Sequence, residues 1–273
     1  MLTISEALEE AARREPDLAS YYELHRKLFE LQEKARSEIA ATFDLADQAA
    51  LQARLIQGLP LISFAHLPIE PGRFAELATA IAKELDAGEW KLEGEERTLP
   101  AHLPAEVAGW IALAQARLEP GQGVEYNGEK AAVTLAEIAA DMALTPYLAW
   151  TAEQVLPHLD QEEWKHGHCP VCGGSPDLAF LDEETGARRL ACSRCNSQWR
   201  YARIGCPFCG ADDPTQIAYY PSDDEVYRLY VCQACRRYLK TKDLRRAGGS
   251  VLVEVERITT VAMDAAARQA GYR

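Results

Sequence analysis

Long apolar runs are missing from this chain of 273 residues. No stretch has the roughly 18 uninterrupted apolar residues that a transmembrane helix needs. The first residues, MLTISEALEE, lack the basic flank and the apolar stretch of a secretory signal. These absences predict a cytoplasmic protein with no direct membrane insertion. Apolar residues still make up 48% of the chain, which is enough for a hydrophobic core.

Positive charge is scarce in the first part of the chain. Residues 1–164 hold 13 Lys and Arg against 29 Asp and Glu, whereas residues 165–273 hold 16 against 13. Two divalent ions bound by eight thiolates would turn the small positive balance of the second part into about −1. Nucleic acids and anionic lipids attract Lys and Arg through their phosphates. The charge pattern therefore predicts no nucleic-acid partner, and it suits a basic protein surface better.

Strand patterns are scarce in residues 1–160, where apolar residues recur at three- and four-residue spacing. The sequence TLAE at 134–137 resembles a helix-capping box, and residues 118–130 are loop-like. This pattern predicts an all-helical domain of about five to seven helices. The helical runs lie at 17–41 and 44–57, after Pro71, after Pro104 and from Thr134.

Beyond residue 160 the pattern changes to short β-type runs between Cys, Gly and Pro turns. The fold class expected is α+β, with an all-α domain at 1–160, a first metal module at 161–204 and a second at 205–273. Both modules resemble rubredoxin or a zinc ribbon, and a C-terminal strand and helix follow. The predicted strands are 178–181, 188–192, 199–204, 216–220, 226–232 and 251–255, and the final helix is about 260–270.

Cysteine is absent outside residues 169–235, where all eight cysteines form four CxxC pairs. In a reducing cytoplasm, such clusters hold metal or carry redox chemistry more often than they form disulfides. Two CxxC turns complete one tetrahedral four-thiolate site, so two metal ions per chain are predicted. The predicted ligand sets are Cys169, Cys172, Cys192 and Cys195 for one ion, and Cys206, Cys209, Cys232 and Cys235 for the other.

The residue after each CxxC pair needs a permissive backbone in such a turn. Gly173 and Gly210 meet this need, and Asn196 tolerates the left-handed region well. Arg236 does so less readily, which makes the fourth turn the least standard.

Iron and zinc both fit four thiolates, so the ligands alone do not choose between them. A site closed by four cysteines argues against hydrolysis by a metal-activated water, and no catalytic residues are visible. His166 and His168 flank the first pair and are possible alternative ligands, but the full set of cysteines favours positions at the surface or behind the ligands for both. Two other functions stay open: a nucleic-acid-binding zinc-ribbon protein, and a small electron-transfer or thiol redox protein.

Four segments resemble the formate dehydrogenase accessory protein family, FdhE-type. They are CPVCGGSP at 169–176, RRLACSRCNSQWRYARIGCPFCG at 188–210, CQACRRYLKT at 232–241 and TTVAMDAAARQAGY at 259–272. The resemblance implies a non-enzymatic cytoplasmic assembly factor that carries two metal ions, with iron expected over zinc. Its implied partner is the catalytic subunit of a respiratory formate dehydrogenase containing molybdenum or tungsten, and a homodimer is left open.

Residues within these segments are candidates for partner binding. They are Arg203, Tyr238, Lys240 and Asp264. The competing interpretation is structural: the Arg and the Lys pair with carboxylates, the Tyr packs beside a cysteine turn, and the Asp caps or bridges a helix.

Overall fold

The computed structural model describes residues 2–41, 48–87, 102–119, 134–158, 160, 164–248 and 251–273. Most of the loop predicted at 118–130, and residues 159 and 161–163 around the predicted domain boundary, lie outside these ranges. The chain forms two compact units. The helical unit comprises Leu2–Phe43 and Ile62–Thr151, and the cysteine unit comprises Asp44–Leu61 and Ala152–Arg273.

Six α-helices occur in the described residues before Trp164, within the predicted number. They are α1 (Ile4–Arg14), α2 (Ala19–Ser37), α3 (Gln48–Ile56), α4 (Pro71–Ala87), α5 (Val107–Leu118) and α6 (Leu135–Val155). The predicted capping box opens α6, because the Thr134 N–H donates to Glu137 and the Glu137 N–H donates to Thr134 Oγ1 at 3.2 Å.

The core of the helical unit follows the apolar periodicity of its helices. Tyr22, Phe74 and Ile81 are fully buried there. The buried Gln32 amide donates to the Met142 carbonyl at 2.7 Å and so joins α2 to α6. Because this amide has a partner, its burial does not carry the cost of an unsatisfied polar group.

The cysteine unit contains one six-stranded sheet in the order β3-β2-β1-β6-β5-β4. Each predicted module supplies an antiparallel set of three consecutive strands, and the parallel pairing of β1 with β6 joins the two sets. The predicted α+β class is therefore confirmed, with the two modules sharing a single sheet. The strands are β1 (Pro176–Leu181), β2 (Arg188–Cys192), β3 (Gln198–Arg200), β4 (Ile217–Pro221), β5 (Tyr227–Cys232) and β6 (Tyr238–Asp243).

The strand predicted at 251–255 is wrong. After the short helix α7 (Leu244–Ala247), this segment enters helix α8 (Val253–Thr259), and the predicted final helix is α9 (Val261–Gln269). The β-branched alternation of VLVEV suggested a strand. Helical spacing instead places Val253 against the apolar core of β1 and β2, and the buried Glu256 against Lys242 and Tyr227 of the sheet. Tertiary packing thus overrides local propensity.

Two strands differ from the sequence pattern. The run at 199–204 is extended only to Arg200, and β6 was not predicted at all. In β6, Lys240 and Asp243 are buried, where the sequence pattern suggests solvent. Among the described residues, no helix is long and apolar enough to cross a membrane.

Candidate metal centres

The four CxxC segments repeat one backbone turn. Two backbone hydrogen bonds define each turn. The N–H of the first cysteine donates to the carbonyl of the fifth residue after it, and the carbonyl of the first cysteine accepts from the N–H of the fourth residue after it. At Cys169 these distances are 2.8 Å and 3.0 Å, and at Cys232 they are 2.9 Å and 3.0 Å. The turns that begin at Cys192 and Cys206 have the same two hydrogen bonds. Such a turn directs both thiols of the pair to one side.

The residue after each pair adopts the left-handed conformation, as the sequence predicts. The φ angles are 73° at Gly173, 58° at Asn196, 74° at Gly210 and 58° at Arg236. For a residue with a Cβ this conformation costs on the order of 1–3 kcal/mol unless its surroundings hold it.

Contacts of the C-terminal residues hold Arg236 in this conformation. Its guanidinium lies 4.0 Å from the centre of the Tyr272 ring and donates to Gln233 Oε1 at 3.0 Å. Its carbonyl accepts from the Arg273 N–H at 2.8 Å. The least standard turn is therefore supported by the end of the chain, which follows α9.

The sulfurs of the first group lie at the corners of a small cage. The Sγ atoms of Cys169, Cys172, Cys192 and Cys195 all lie within 4.8 Å of one another. The Sγ distances from Cys169 to Cys195 and from Cys172 to Cys192 are both 3.5 Å. A tetrahedral ion with metal–sulfur bonds of 2.3 Å requires sulfurs about 3.8 Å apart. This group can hold one metal ion.

The second group has the same geometry and a more open surface. Its four Sγ atoms also lie within 4.8 Å of one another. Cys206 and Cys235 are 3.6 Å apart, and Cys209 and Cys232 are 3.7 Å apart. All four cysteines of the first group are buried, whereas Cys209 is exposed and Cys235 is half-buried. The chain can therefore hold two ions in unequal surroundings.

Burial makes either group a poor place for four thiolates together without a cation. It raises the pKa of Cys169 well above that of an ordinary thiol, and it raises the pKa of Cys206 to about 12. A coordinated metal reverses this effect, since thiols bind as thiolates. The donor set and its spacing both fit such an ion.

An arginine on α8 contacts the second turn of the first group. The Arg257 guanidinium donates to the Cys192 carbonyl and to Asn196 Oδ1, both at 3.0 Å, and pairs with both carboxylate oxygens of Asp177. The Asn196 amide donates in turn to Glu254 at 2.7 Å. No local sequence pattern predicts this arrangement, because the residues that it joins lie 58 to 80 positions apart.

His166 and His168 lie near the first group but outside its cage. Their rings stand 5.2 Å apart and pack edge-on against the buried Trp164. The His168 ring contacts the Gly58 carbonyl at 3.3 Å, and the Leu61 N–H donates to the Pro170 carbonyl at 2.9 Å. The segment 58–61 thus covers the first turn, and the four sulfurs form a complete set without either histidine.

Three of the four candidate partner-binding residues contact one another. Asp264 of α9 accepts from the Tyr238 hydroxyl at 2.8 Å and from Lys240 Nζ at 2.7 Å. Lys240 is only 3% exposed. These contacts hold α9 against β6. They agree with the structural interpretation of Lys240 and Asp264, whereas the Tyr238 hydroxyl bonds Asp264 in addition to any packing. Arg203 is exposed and donates to the Gly186 carbonyl, away from the other three. A role in partner binding stays a prediction for all four.

Comparisons with known proteins agree on one family. Residues 168–203 match the family model described as FdhE, central domain. A curated "Protein FdhE homolog" of Aquifex aeolicus is 34% identical over 133 residues, which are 47% of this chain and 46% of the relative. One of Shewanella baltica (strain OS185) is 22% identical over 262 residues, covering 95% of this chain and 81% of the relative.

A solved structure shares the fold. The crystal structure of the FdhE protein from Pseudomonas aeruginosa superposes with a TM-score of 0.63 at 21% identity, covering 99% of this chain and 91% of that one. In the first curated relatives, from Aquifex aeolicus and Shewanella oneidensis, the match covers 46% and 44% of the relative. The chain thus spans about half the length of those two.

Proposed function

We propose that this chain, a member of the FdhE family, is a cytoplasmic accessory protein for the maturation of a respiratory formate dehydrogenase. It carries two metal ions, each bound by four cysteines, and it binds the catalytic subunit that contains molybdenum or tungsten. It is not an enzyme. The observation that carries the proposal is that the family's central domain coincides with the first four-sulfur group, at residues 168–203.

The ions close the two turns of each module and hold the shared sheet in place. A small metal module gains much of its folding free energy from metal binding. Four cysteines leave an ion no open position for a substrate, which supports a binding function over a catalytic one. Iron is proposed over zinc, on the family resemblance.

Metal analysis and visible absorption of anaerobically purified protein test the metal sites. Two ions per chain are expected, with strong absorption for ferric iron and none for zinc. Cys169→Ser and Cys206→Ser should each lose one ion. Ser193→Ala is the matched control, since Ser193 is exposed and lies between two ligands without belonging to them. One ion in the wild type, or disulfides under reducing conditions, would contradict the assignment.

A pull-down from cell extract tests the partner. The wild type and Ser193→Ala should retain the dehydrogenase catalytic subunit, and the two cysteine variants should retain less of it. A deletion strain should lose respiratory formate oxidation while the soluble subunit polypeptide is still made. The proposed partner is wrong if the deletion leaves that oxidation intact, or if no dehydrogenase subunit is retained.

The two alternative functions have no support from the comparisons. Cys192 and Cys232 end strands and begin turns, whereas a thioredoxin-like thiol is activated at the start of a helix. Aromatic side chains of the cysteine unit could stack on bases in a nucleic-acid complex. Trp199 is buried and the Tyr227 hydroxyl donates to Glu256, whereas Tyr219 and Tyr220 are exposed. Gel shifts at low salt test the nucleic-acid alternative, which predicts binding that weakens steeply as salt rises.

A further inference from the structure

Strand β4 lies at one end of the sheet and pairs only with β5 in the part of the chain that the structure describes. Its last three residues are exposed, and Tyr219 and Tyr220 among them are 50% and 55% exposed. The free edge of an outer strand presents unpaired backbone N–H and C=O groups, which another extended chain can pair with. The edge of β4 that faces away from β5 is called the open edge below.

The register of β4 against β5 shows which backbone groups lie at the open edge. The Gln216 carbonyl accepts from the Gln233 N–H at 2.8 Å, and the Ser222 N–H donates to the Tyr227 carbonyl at 2.9 Å. Hydrogen-bonded pairs alternate along an antiparallel ladder, so every second residue from 216 to 222 bonds to β5. Tyr219 falls between them, and its N–H and carbonyl therefore point to the open edge.

Acidic residues flank β4 on both sides. Residues 211–227 contain five Asp and Glu and no Lys or Arg. Glu225 pairs with Arg246 at 2.7 Å. The other four acids are exposed and form no ion pair among the described residues; they are Asp212, Asp213, Asp223 and Asp224. The ends of the exposed strand are therefore negatively charged.

The second cysteine group adds to this negative charge once it holds an ion. Ile217 of β4 lies opposite Cys232 in the ladder. Four thiolates outnumber the charge of one divalent or trivalent ion, so the loaded group stays negative. The cation nearest the exposed aromatic rings is Arg228, which lies 5.1 Å from the centre of the Tyr219 ring and pairs with the buried Asp243.

This charge distinguishes between the possible occupants of the open edge. Two copies of the chain that paired their β4 strands, in either orientation, would place acids of one copy beside acids of the other, and like charges across a strand pair are destabilising. The phosphates of a nucleic acid would meet the same repulsion. An extended protein segment rich in Lys and Arg would instead bring its cations beside these acids.

We propose that β4 binds a basic, extended segment of a partner protein, which adds a strand to the sheet at the open edge. Main-chain hydrogen bonds to Tyr219 align the segment, and the flanking acids select its Lys and Arg side chains. The exposed Tyr219 and Tyr220 rings provide apolar contact area beside it. The inference rests on the proposed function only for the identity of the partner, the dehydrogenase subunit.

Titration of the metal-loaded protein with two labelled peptides tests the site without the dehydrogenase. The basic probe is N-acetylated Lys-Thr-Arg-Val-Lys-Thr-Arg-Val amide, and the control replaces each Lys and Arg with Glu. Fluorescence anisotropy measures the affinity, and ¹⁵N NMR follows the backbone N–H of Tyr219. We expect saturable binding of the basic probe that weakens as salt rises, with slower hydrogen exchange at this N–H. Equal affinity for the two peptides, or an unchanged Tyr219 signal, overturns the proposal.

Two substitutions of Tyr219 separate its backbone from its ring. Tyr219→Pro removes an N–H that the ladder with β5 does not use, and proline is tolerated at such a position of an edge strand. Tyr219→Ala removes the ring and keeps the N–H. The proline variant should bind the basic probe about tenfold more weakly than the alanine variant, since it loses a main-chain hydrogen bond and blocks the open edge. Equal affinities of the two variants would contradict strand addition.

A matched pair of double variants tests the charges. Asp212→Asn with Asp223→Asn should weaken binding of the basic probe about fivefold, as expected for two exposed ion pairs. Glu33→Gln with Glu76→Gln removes the same charge from exposed positions of the helical unit and should leave the affinity unchanged. Equal metal content in all variants shows that the cysteine unit is folded. Equal weakening by both double variants would reduce the effect to net charge and overturn the site.

The pull-down of the dehydrogenase subunit separates this inference from the proposed function. If the wild type and Tyr219→Pro retain the subunit equally, the docking surface is wrong and the proposed function stands. If the wild type retains no subunit but binds the basic probe as described, the open edge is a peptide site and the proposed partner is wrong. If size-exclusion chromatography shows a wild-type dimer that Tyr219→Pro abolishes, a second copy occupies the open edge and the proposal is overturned.

Discussion

Replacing Arg257 with alanine is expected to loosen the first metal centre from outside its ligand set. The side chain joins α8 to β1 through Asp177, and to the second cysteine turn through Asn196 and the Cys192 carbonyl. Without it, Asp177 loses its cation, and the left-handed residue Asn196 loses one of the contacts that hold it. The variant should unfold more easily and release the first ion faster.

The size of the effect follows from the exposure of the pair. Removing one partner of a fully buried ion pair costs about 3–5 kcal/mol. The side chains of Arg257 and Asp177 are 22% and 28% exposed, so solvent weakens their pairing. The two further hydrogen bonds of the guanidinium add to the loss, though not independently. A decrease of about 3 kcal/mol in the free energy of unfolding is therefore expected.

Urea unfolding of the metal-loaded protein, followed by tryptophan fluorescence, measures this loss. Trp164 and Trp199 are fully buried in the cysteine unit and report on its opening. Arg246→Ala is the matched control, because Arg246 pairs with Glu225 at about half exposure and should contribute less than about 1 kcal/mol. Arg257→Lys keeps the charge but not the paired donors and should fall between the two. Equal losses for the two alanine variants would refute the argument.

Three further outcomes are expected. A chelator should remove the ion of the second group first, because Cys209 is exposed while all cysteines of the first group are buried. Metal analysis over time measures the two rates of loss, and the variants Cys169→Ser and Cys206→Ser assign each rate to its group. Equal rates of loss would contradict this prediction. Lys240→Met should lower the free energy of unfolding by about 3 kcal/mol, since it leaves Asp264 without its cation. The control Lys34→Met, at an exposed position, should leave the free energy of unfolding unchanged. Unchanged stability of Lys240→Met would leave partner binding as the only role considered for this lysine. Burial lowers the pKa of His25 from 6.5 to about 4, so the histidine of the unfolded chain is protonated at a higher pH than that of the folded chain. The contribution of the neutral His25 to the free energy of unfolding is therefore fully present above pH 6.5 and is lost as the pH falls toward 4. Circular dichroism of urea unfolding over this pH range should show a shallower loss for His25→Gln, and an identical slope would count against the burial argument.

Local features account for what could be predicted from the sequence. A CxxC turn, its left-handed residue and its backbone hydrogen bonds lie within six consecutive residues, so spacing alone identifies all four turns. Helix periodicity and the TLAE capping box are equally local, and the structure follows both. The left-handed conformation predicted for Arg236 is the exception, because it is stabilised by the contact with Tyr272, which only the folded chain provides.

Buried charged residues account for one of the main differences between the predicted and the observed elements. Strand β6 contains Lys240, Lys242 and Asp243, which pattern analysis assigns to solvent, and yet each of them pairs with an opposite charge from another element. The segment VLVEV has the alternation of a strand, but it packs on the sheet as a helix. Neither outcome can be predicted locally, because the partner residues lie elsewhere in the chain.

The sequence by itself determined the four CxxC turns and the helical character of the first part of the chain, since each rests on contacts a few residues apart. The spacing of the turns also predicted the two groups of four cysteines, whose paired turns lie 20 and 23 residues apart. Only the tertiary structure decided that β1 and β6 join the two modules in one sheet, that segment 58–61 contacts the first cysteine turn, and that one group is buried while the other is partly open. These features depend on pairings between distant segments, whose free energy comes from burial and from compensated charge rather than from local propensity.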